Sequence, residues 1–372
     1  MKRAHVLAND PSKLPKDFWS SDHCETLIIE RWASERNSEA KWISEHLPTI
    51  AHHVWIASSG TLAQAGQSKW IAISKNAILA SAYAVNAHLS ITAKESWGLT
   101  LPLAHVGGLG IVARSHLLGQ QVSLPLKSKW DARDLISWQG ELLSLVPTQV
   151  HDLVALKMTP PKSLRVVVVG GDRLAPELLR QARELGWPLY PSYGLTEFSS
   201  QVATALPGDE AEATLLPHVQ ARTDESGRLF ISGPSLFTGV AKVENERIQY
   251  QERSESFWGT DDTAEISNER KHKTFGRRDS IVKVRGEKVD LPALETQLQQ
   301  LNANLVVLAL PHERDGVQLW VVTDKSLDLA EINRGLLPHH KIHGIKIIDS
   351  LPRNHLGKIK RGELLSWLQK QS

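Results

Sequence analysis

An α/β fold is predicted for this chain: a large N-terminal domain on a mostly parallel sheet, a β-rich portion after it, and a small C-terminal α/β lobe. Three observations predict it. Leu164 to Val169 is a β-branched run with the length of a buried strand, closed by Gly170-Gly171; Pro176 then opens a helical pattern that presents Leu178, Leu179, Ala182 and Leu185 on one face. From Arg222 to Val243 the pattern breaks into short strands punctuated by Gly227, Gly233 and Gly239. From Arg277 onward the charge balance changes sign: this stretch holds 15 Lys+Arg against 11 Asp+Glu, a net of +4, and the preceding residues carry −2.

Each element follows in chain order. Val54 to Ala57 reads as a strand entering a polar Gly/Ser loop, with a helix over Asn76 to His88 behind it. The 164–169 strand and its helix, stopped by Gly186 and Pro188, lead to a second short strand that runs into Pro191-Ser192-Tyr193-Gly194. Strand–helix–strand is the grammar of a parallel sheet, whose ligands collect at the carboxyl ends of the strands. The expected boundary places one domain over residues 1–276 and the lobe over 277–372.

Composition limits the function. With 372 residues, 41% hydrophobic and 23% charged, the chain is an ordinary globular protein of two or three domains' length. A net charge of +2 does not imply nucleic acid or an anionic membrane surface as partner. One cysteine, Cys24, excludes an internal disulfide framework and a cysteine-based zinc site. No apolar run reaches the ~18 residues of a membrane helix, and the N-terminus lacks a signal-peptide pattern, so the cytoplasm is the expected compartment.

Five segments carry residue types suited to chemistry. Ser58-Ser59-Gly60-Thr61, with Gly66 and Lys69 after it, is a hydroxyl- and glycine-rich loop that ends in a lysine. Such loops wrap phosphates because glycine lets backbone N–H groups approach; alone, this one also reads as a surface loop. Ser192-Tyr193-Gly194-Leu195-Thr196-Glu197 groups an aromatic ring for a base, a hydroxyl for a phosphate and a carboxylate for Mg2+, or forms a turn with exposed polar residues. Thr260-Asp261-Asp262 offers carboxylates to ribose hydroxyls, or makes a turn. Gly276-Arg277-Arg278-Asp279 is a charged, hinge-like stretch ahead of the glycine loop at Gly286, and Pro352 to Arg361 places Lys358 directly after a glycine. His105 interrupts the apolar run Leu101 to Leu109 and reads as a pocket-wall residue or a site residue.

In order and spacing these segments resemble the acyl-adenylate-forming superfamily of acyl-CoA synthetases, adenylation domains and luciferases, from about residue 54 to the C-terminus. Within it, the Leu-Pro-Leu-x-His-Val-x-Gly segment at 101–108, Ser144 to Gln149, and Ser192 to Gln201 resemble the o-succinylbenzoate–CoA ligases of menaquinone biosynthesis. The resemblance implies ATP, Mg2+ and coenzyme A as co-substrates and a small carboxylic acid as acyl donor; a homodimer is compatible with it. It implies that Ser58, Ser59, Gly60, Thr61 and Lys69 cradle the β- and γ-phosphates. Gly171 and Tyr193 would bracket the adenine, with Ser192 and Gly194 also in the ATP/AMP site; Thr196 would touch the α-phosphate, Glu197 bind the Mg2+, and Asp262 and Arg277 hold the ribose. His105, Arg114 and Ser200 would face the acyl substrate, and His105, with Thr196 and Glu197, would be catalytic. Arg114 would meet a carboxylate, which needs a partner when buried; alone, it reads equally as a surface helix residue. Asp279 would be the hinge of a mobile lobe, Lys358 the catalytic lysine of adenylation, and Gly286 part of the coenzyme A tunnel.

Three departures from the family pattern stand out. Only 57 residues precede Ser58, so the N-terminal region is expected to be shortened relative to the family. The phosphate loop carries Leu62-Ala63-Gln64 as an insertion and Ser68 where the family has proline, and Thr260-Asp261-Asp262 lacks the family's glycine. Alternatives to this ligase are one acting on another aromatic or acyl acid or loading a carrier protein, and a non-catalytic nucleotide-binding paralogue.

Overall fold

The computed structural model describes residues 1–7, 11–29, 37–58, 67–127, 130–208, 212–267, 270–277, 280–301, 304–353 and 359–371. Two compact units emerge. The first comprises Met1–Ala221, Ile231–Trp258 and Ser267–His272; the second comprises Arg222–Phe230, Gly259–Ile266 and Lys273–Ser372. The expected loop residues Ser59, Gly60, Thr61 and Gly66, the hinge residue Asp279 and the lysine Lys358 lie outside the described residues.

The first unit opens with β1 (Lys2–Leu7), β2 (Cys24–Ile29), helix α1 (Asn37–His46), β3 (His53–Ala57), β4 (Gln67–Ser74) and helix α2 (Lys75–His88). It continues with β5 (Trp97–Gly98), α3 (Val106–Leu117), β6 (Leu142–Leu145), α4 (Pro147–Ala155), β7 (Val166–Val169), α5 (Pro176–Glu184), β8 (Leu189–Leu195), β9 (Ser200–Thr204) and β10 (Ala213–Leu215). β11 (Gln220–Thr223) and β12 (Arg228–Ser232) belong in part to the second unit, and the chain returns to the first with β13 (Gly239–Glu244) and β14 (Arg247–Glu252). One sheet has the order β1-β2-β3-β4-β13-β14; β1 to β3 pair in parallel, and the remaining pairs are antiparallel. In the other, β5 to β8 form a parallel run, and β9 and β10 extend it antiparallel.

Burial explains the elements. β3 and β6 are mostly apolar with almost every side chain buried, as suits strands covered on both faces. Trp55 and Trp70 are buried beside each other's strands, their indole N–H groups donating to Pro48 O and Ser68 Oγ, both at 2.9 Å. A ring burying ~200 Å² contributes about 5 kcal/mol at ~25 cal/mol/Å², before entropy. The run Leu164–Val169 becomes a strand only from Val166, because Leu164 N–H closes a turn on Pro161 O at 3.0 Å. Helix α2 begins one residue before the sequence pattern does, since Ser74 accepts the Ala77 N–H at 3.0 Å and so caps it.

Within the second unit, β15 (Trp258–Ile266) carries Thr260-Asp261-Asp262 as strand residues rather than as a turn. Thr260 Oγ1 donates to Leu229 O at 3.0 Å and Arg228 Nε to Thr260 O at 2.8 Å, tying that stretch to β12. β16 (Lys271–Arg277) follows. β17 (Ile281–Val284) and β18 (Glu287–Asp290) form a hairpin turned by Arg285 (φ +53°) and Gly286 (φ +89°), the left-handed pair of a tight turn. Then α6 (Leu291–Leu298), β19 (Leu305–His312), β20 (Gly316–Thr323), α7 (Leu329–Ile332), β21 (Ile342–Ile347) and α8 (Arg361–Gln371) surround a separate apolar core that includes Leu294, Val307, Val321 and Ile342. Glu295 anchors it, taking Arg361 Nη2 at 2.7 and 2.8 Å and the Val307 N–H at 2.9 Å. Among the described residues no helix is long and apolar enough to cross a membrane.

Candidate active site

The phosphate-loop segment joins β3 to β4. Ser58 N–H donates to Lys69 O at 2.9 Å, so the antiparallel pair closes at residues 58 and 69, and Lys69 is a strand residue rather than the end of the loop. Its ammonium lies 2.8 Å from Glu197 Oε1. The lysine is one-third exposed and the carboxylate largely buried, so solvent screens the pair only in part. This contact unites two candidate site residues separated by more than a hundred positions in the chain.

Glu197 owes its place to the way β8 ends. Ser192, Tyr193 and Gly194, which read as the residues leaving a strand, lie in β8 itself; the chain then makes a single turn of 3-10 helix, Thr196–Phe198, and returns as β9. A register shift between Tyr193 and Gly194 brings the returning strand very close: a Cβ on Gly194 would stand 2.0 Å from Ser200 O. Ser199 (φ +55°) and Ser200 (φ +109°) hold the turn in backbone regions that non-glycine residues rarely adopt, and strain of this kind concentrates at functional sites. Ser199 Oγ donates to Ser235 O at 2.7 Å, and Phe237 N–H to Glu197 O at 2.9 Å, which pin the turn from outside. Beside it, β7 runs parallel to β8 and ends at Gly170-Gly171. Gly171 has φ +85°, and Ser192 Oγ donates to Val169 O at 3.2 Å. Gly171, Ser192, Tyr193, Gly194, Thr196 and Glu197 thus share the carboxyl end of one strand pair, the place where open α/β sheets bind ligands.

The second cluster centres on Arg114 of α3. It is not a surface helix residue: 2% of it is exposed. Nη1 donates to Ser144 Oγ at 3.2 Å, Nη2 to Gln201 Oε1 at 2.8 Å, and the guanidinium stacks 4.8 Å over the Trp97 ring. Asn86 closes the frame, donating to Arg114 O at 3.1 Å and accepting from Trp97 Nε1 at 3.2 Å. Among the described residues no carboxylate pairs with Arg114, and its Nε–H is buried with no acceptor. Burial alone pulls its pKa down to about 9. Ser200 faces the same space, since a Cβ on Gly110 would meet Arg114 Nη2 at 3.6 Å and Ser200 Oγ at 3.8 Å. His105 is buried at the N-cap of α3, where its carbonyl accepts the Leu109 N–H at 2.9 Å.

Sequence reasoning missed the frame around Arg114. Ser144 and Gln201 stand at the ends of segments that had drawn attention, yet nothing there signalled a shared partner. Trp97 and Asn86 carried no signal, because only the parallel pairing of β5 with β6 and the helix packing bring them to Arg114. Asp262, Arg277 and Gly286 belong to the second unit. Asp262 is buried, its N–H donating to Thr260 Oγ1 at 3.1 Å.

Comparison with known proteins agrees with this geometry. The family described as AMP-binding enzyme matches residues 54–240. The 2-succinylbenzoate–CoA ligase of Enterococcus faecalis is 26% identical over 339 residues, which cover 83% of this chain and 68% of the relative. The ligase of the same name from Staphylococcus epidermidis is 26% identical over 333 residues, with the same shares. Among solved structures, E. coli MenE with bound OSB-AMS has a TM-score of 0.70 at 25% identity, covering 86% of this chain and 69% of its own. The o-succinylbenzoate CoA synthetase of Bacillus subtilis in complex with the acyl-adenylate intermediate OSB-AMP shares the fold, with a TM-score of 0.75 at 20% identity over 98% of this chain and 82% of that one. The matched stretch runs from β3 to the start of β13 and carries both clusters, the Lys69–Glu197 pair and the buried Arg114; it spans half of the sequence, and the chain belongs to the family of AMP-binding enzymes.

Proposed function

We propose that this AMP-binding enzyme is an ATP-dependent acid–CoA ligase that converts 2-succinylbenzoate to its adenylate and then to the coenzyme A thioester. The observation that carries the substrate is Arg114, a buried cation held only by neutral acceptors beside Ser200 and Gly110. A dicarboxylic acid uses one carboxylate in the reaction and retains the other, and a retained carboxylate entering a dry pocket needs such a partner. The names carried by the relatives support the same reading.

The chemistry needs two steps because a carboxylate is a poor electrophile. A carboxylate oxygen attacks the α-phosphorus of ATP and pyrophosphate leaves; the thiol of coenzyme A then attacks the acyl carbon and AMP leaves. Thr196 and the backbone around Gly194 would hold the α-phosphate, Tyr193 and Gly171 the adenine, and Ser58 to Thr61 with Lys69 the outer phosphates. Glu197 fits Mg2+ through one oxygen: Oε1 takes the Lys69 ammonium, which leaves Oε2. Among the described residues no group of three His, Cys, Asp or Glu is placed to hold a metal. Bound there, Mg2+ would offset charge on the phosphates. Asp262 and Arg277 would hold the ribose, and His105 and Ser200 would line the acyl pocket. Residues 277–372 would act as the mobile lobe, with Asp279 as hinge, Lys358 neutralising charge during adenylation and Gly286 lining the thiol's path.

Pyrophosphate release from ATP, measured with a panel of carboxylic acids with and without coenzyme A, tests the reading. Release that depends on 2-succinylbenzoate, with thioester formed once coenzyme A is added, is expected. Release with none of the acids would sink it.

A further inference from the structure

A buried guanidinium is ordinarily matched by a carboxylate, because an unpaired charge out of water is costly. Arg114 is matched by an amide oxygen, a hydroxyl and an indole face instead. The amide is oriented. Gln201 is 3% exposed, and its Nε2 donates to Thr204 Oγ1 at 2.8 Å, which turns Oε1 toward Arg114. The flipped amide would set an NH2 group against the guanidinium, so the hydrogen-bond pattern itself fixes the choice. A Cβ on Gly110 would come only into ordinary contact with Arg114 Nη2, at 3.6 Å, and with Ser200 Oγ, at 3.8 Å, so the glycine leaves room for a methyl-sized group beside the guanidinium.

We infer that Gln201 is a specificity-determining positioning residue: its neutral oxygen aims the Arg114 guanidinium and leaves the positive charge uncompensated for a second, anionic group on the acyl substrate. The inference rests on the ligase reading above and extends it to the choice between dicarboxylic and monocarboxylic acids. A glutamate at this position would keep the shape and satisfy the cation permanently from within. The Thr204 hydroxyl would rotate to donate to it. Such a chain would be more stable and less selective. With glutamine, the native enzyme forgoes an internal ion pair at the spot where the substrate would supply one.

The test compares Gln201→Glu and Gln201→Met with the wild type, using 2-succinylbenzoate and the two monocarboxylic analogues that each lack one of its carboxylates. In Gln201→Glu, kcat/KM for the dicarboxylic acid relative to a reactive monocarboxylic one should fall about ten- to a hundredfold, through KM, while the melting temperature rises. Gln201→Met removes the acceptor without adding charge, so it should lower the melting temperature and cost less selectivity than the glutamate. Equal losses for both acid classes in Gln201→Glu, or unchanged selectivity, would overturn the inference. Phthalate binding, read as a thermal shift, is independent of turnover. It should stabilise the wild type and leave Gln201→Glu unshifted, and the same shift in both proteins would also overturn the inference. If the wild type releases no pyrophosphate with any acid, the ligase reading fails by itself, and the phthalate comparison still decides the role of Gln201.

Discussion

Arg114 is the residue on which the substrate assignment turns. Replacing it by alanine should raise KM for 2-succinylbenzoate by about ten- to a hundredfold, the weight of ~1.5–3 kcal/mol for a hydrogen bond to a charged group. Monocarboxylic analogues should lose much less, and steady-state kinetics on both decides the matter. Equal losses would make Arg114 a structural residue. The sequence placed Arg114 nine positions after His105 and offered a charge, but left open whether the charge faced water or the interior. That answer depends on Trp97, Ser144 and Gln201, which reach it from three different strands. Lys69 and Glu197 each read as phosphate or metal groups, yet their mutual contact depends on tertiary pairing that no local pattern encodes.

Among the elements, the β8–β9 turn is the least tolerant of change. Gly194→Ala would drive a methyl group into Ser200 O, a backbone atom that cannot move without opening the hairpin. A loss of about 3 kcal/mol is expected, visible as a lower urea midpoint, together with weakened ATP binding because Thr196 and Glu197 ride on the same turn. The motif reads in the sequence as a candidate ligand-binding segment; its being strand rather than loop was not legible, because Pro191 and Gly194 weaken the β propensity of the stretch. The first sheet offers a different test. Glu25 on β2 is fully buried with the Lys75 ammonium 3.4 Å from one oxygen and His5 Nε2 2.7 Å from the other. Burial raises its pKa, but the hydrogen bond from His5 and the field of Lys75 outweigh burial, and the net shift is down from 4.5. A depressed carboxyl pKa stabilises the fold above the free value and loses that contribution as pH falls through the lower native value. Chemical denaturation should therefore show stability dropping below about pH 4.5 in the wild type, with this part of the drop absent in Glu25→Gln.

For the whole molecule, the proposal is alternation between two half-reactions. Lys358→Ala should nearly abolish adenylate formation from ATP while leaving thioester formation from pre-formed adenylate largely intact, because its ammonium would act only while the carboxylate attacks. Gly286→Leu should do the reverse. Single-turnover assays of both steps in both variants are sufficient, and a Lys358→Ala protein slowed equally in both would rule alternation out. The α/β class and the order of the site segments were legible because strand–glycine–helix units write themselves locally. The interleaving of the two units was not, since β12 and β15 contribute to the second unit from within the sequence of the first. The same interleaving appears in the first sheet, where β4 pairs with β13, roughly 170 residues further along. On the ribosome, at ~5–20 residues per second, that partner emerges some ten to thirty seconds after β4 does. Through that interval the nascent chain carries Trp70, Ile71, Ala72 and Ile73 on an open strand edge, the kind of surface that chaperones hold and that aggregates when they do not. Messages cut short before codon 239 should thus yield insoluble product, however well β1 to β4 pair among themselves.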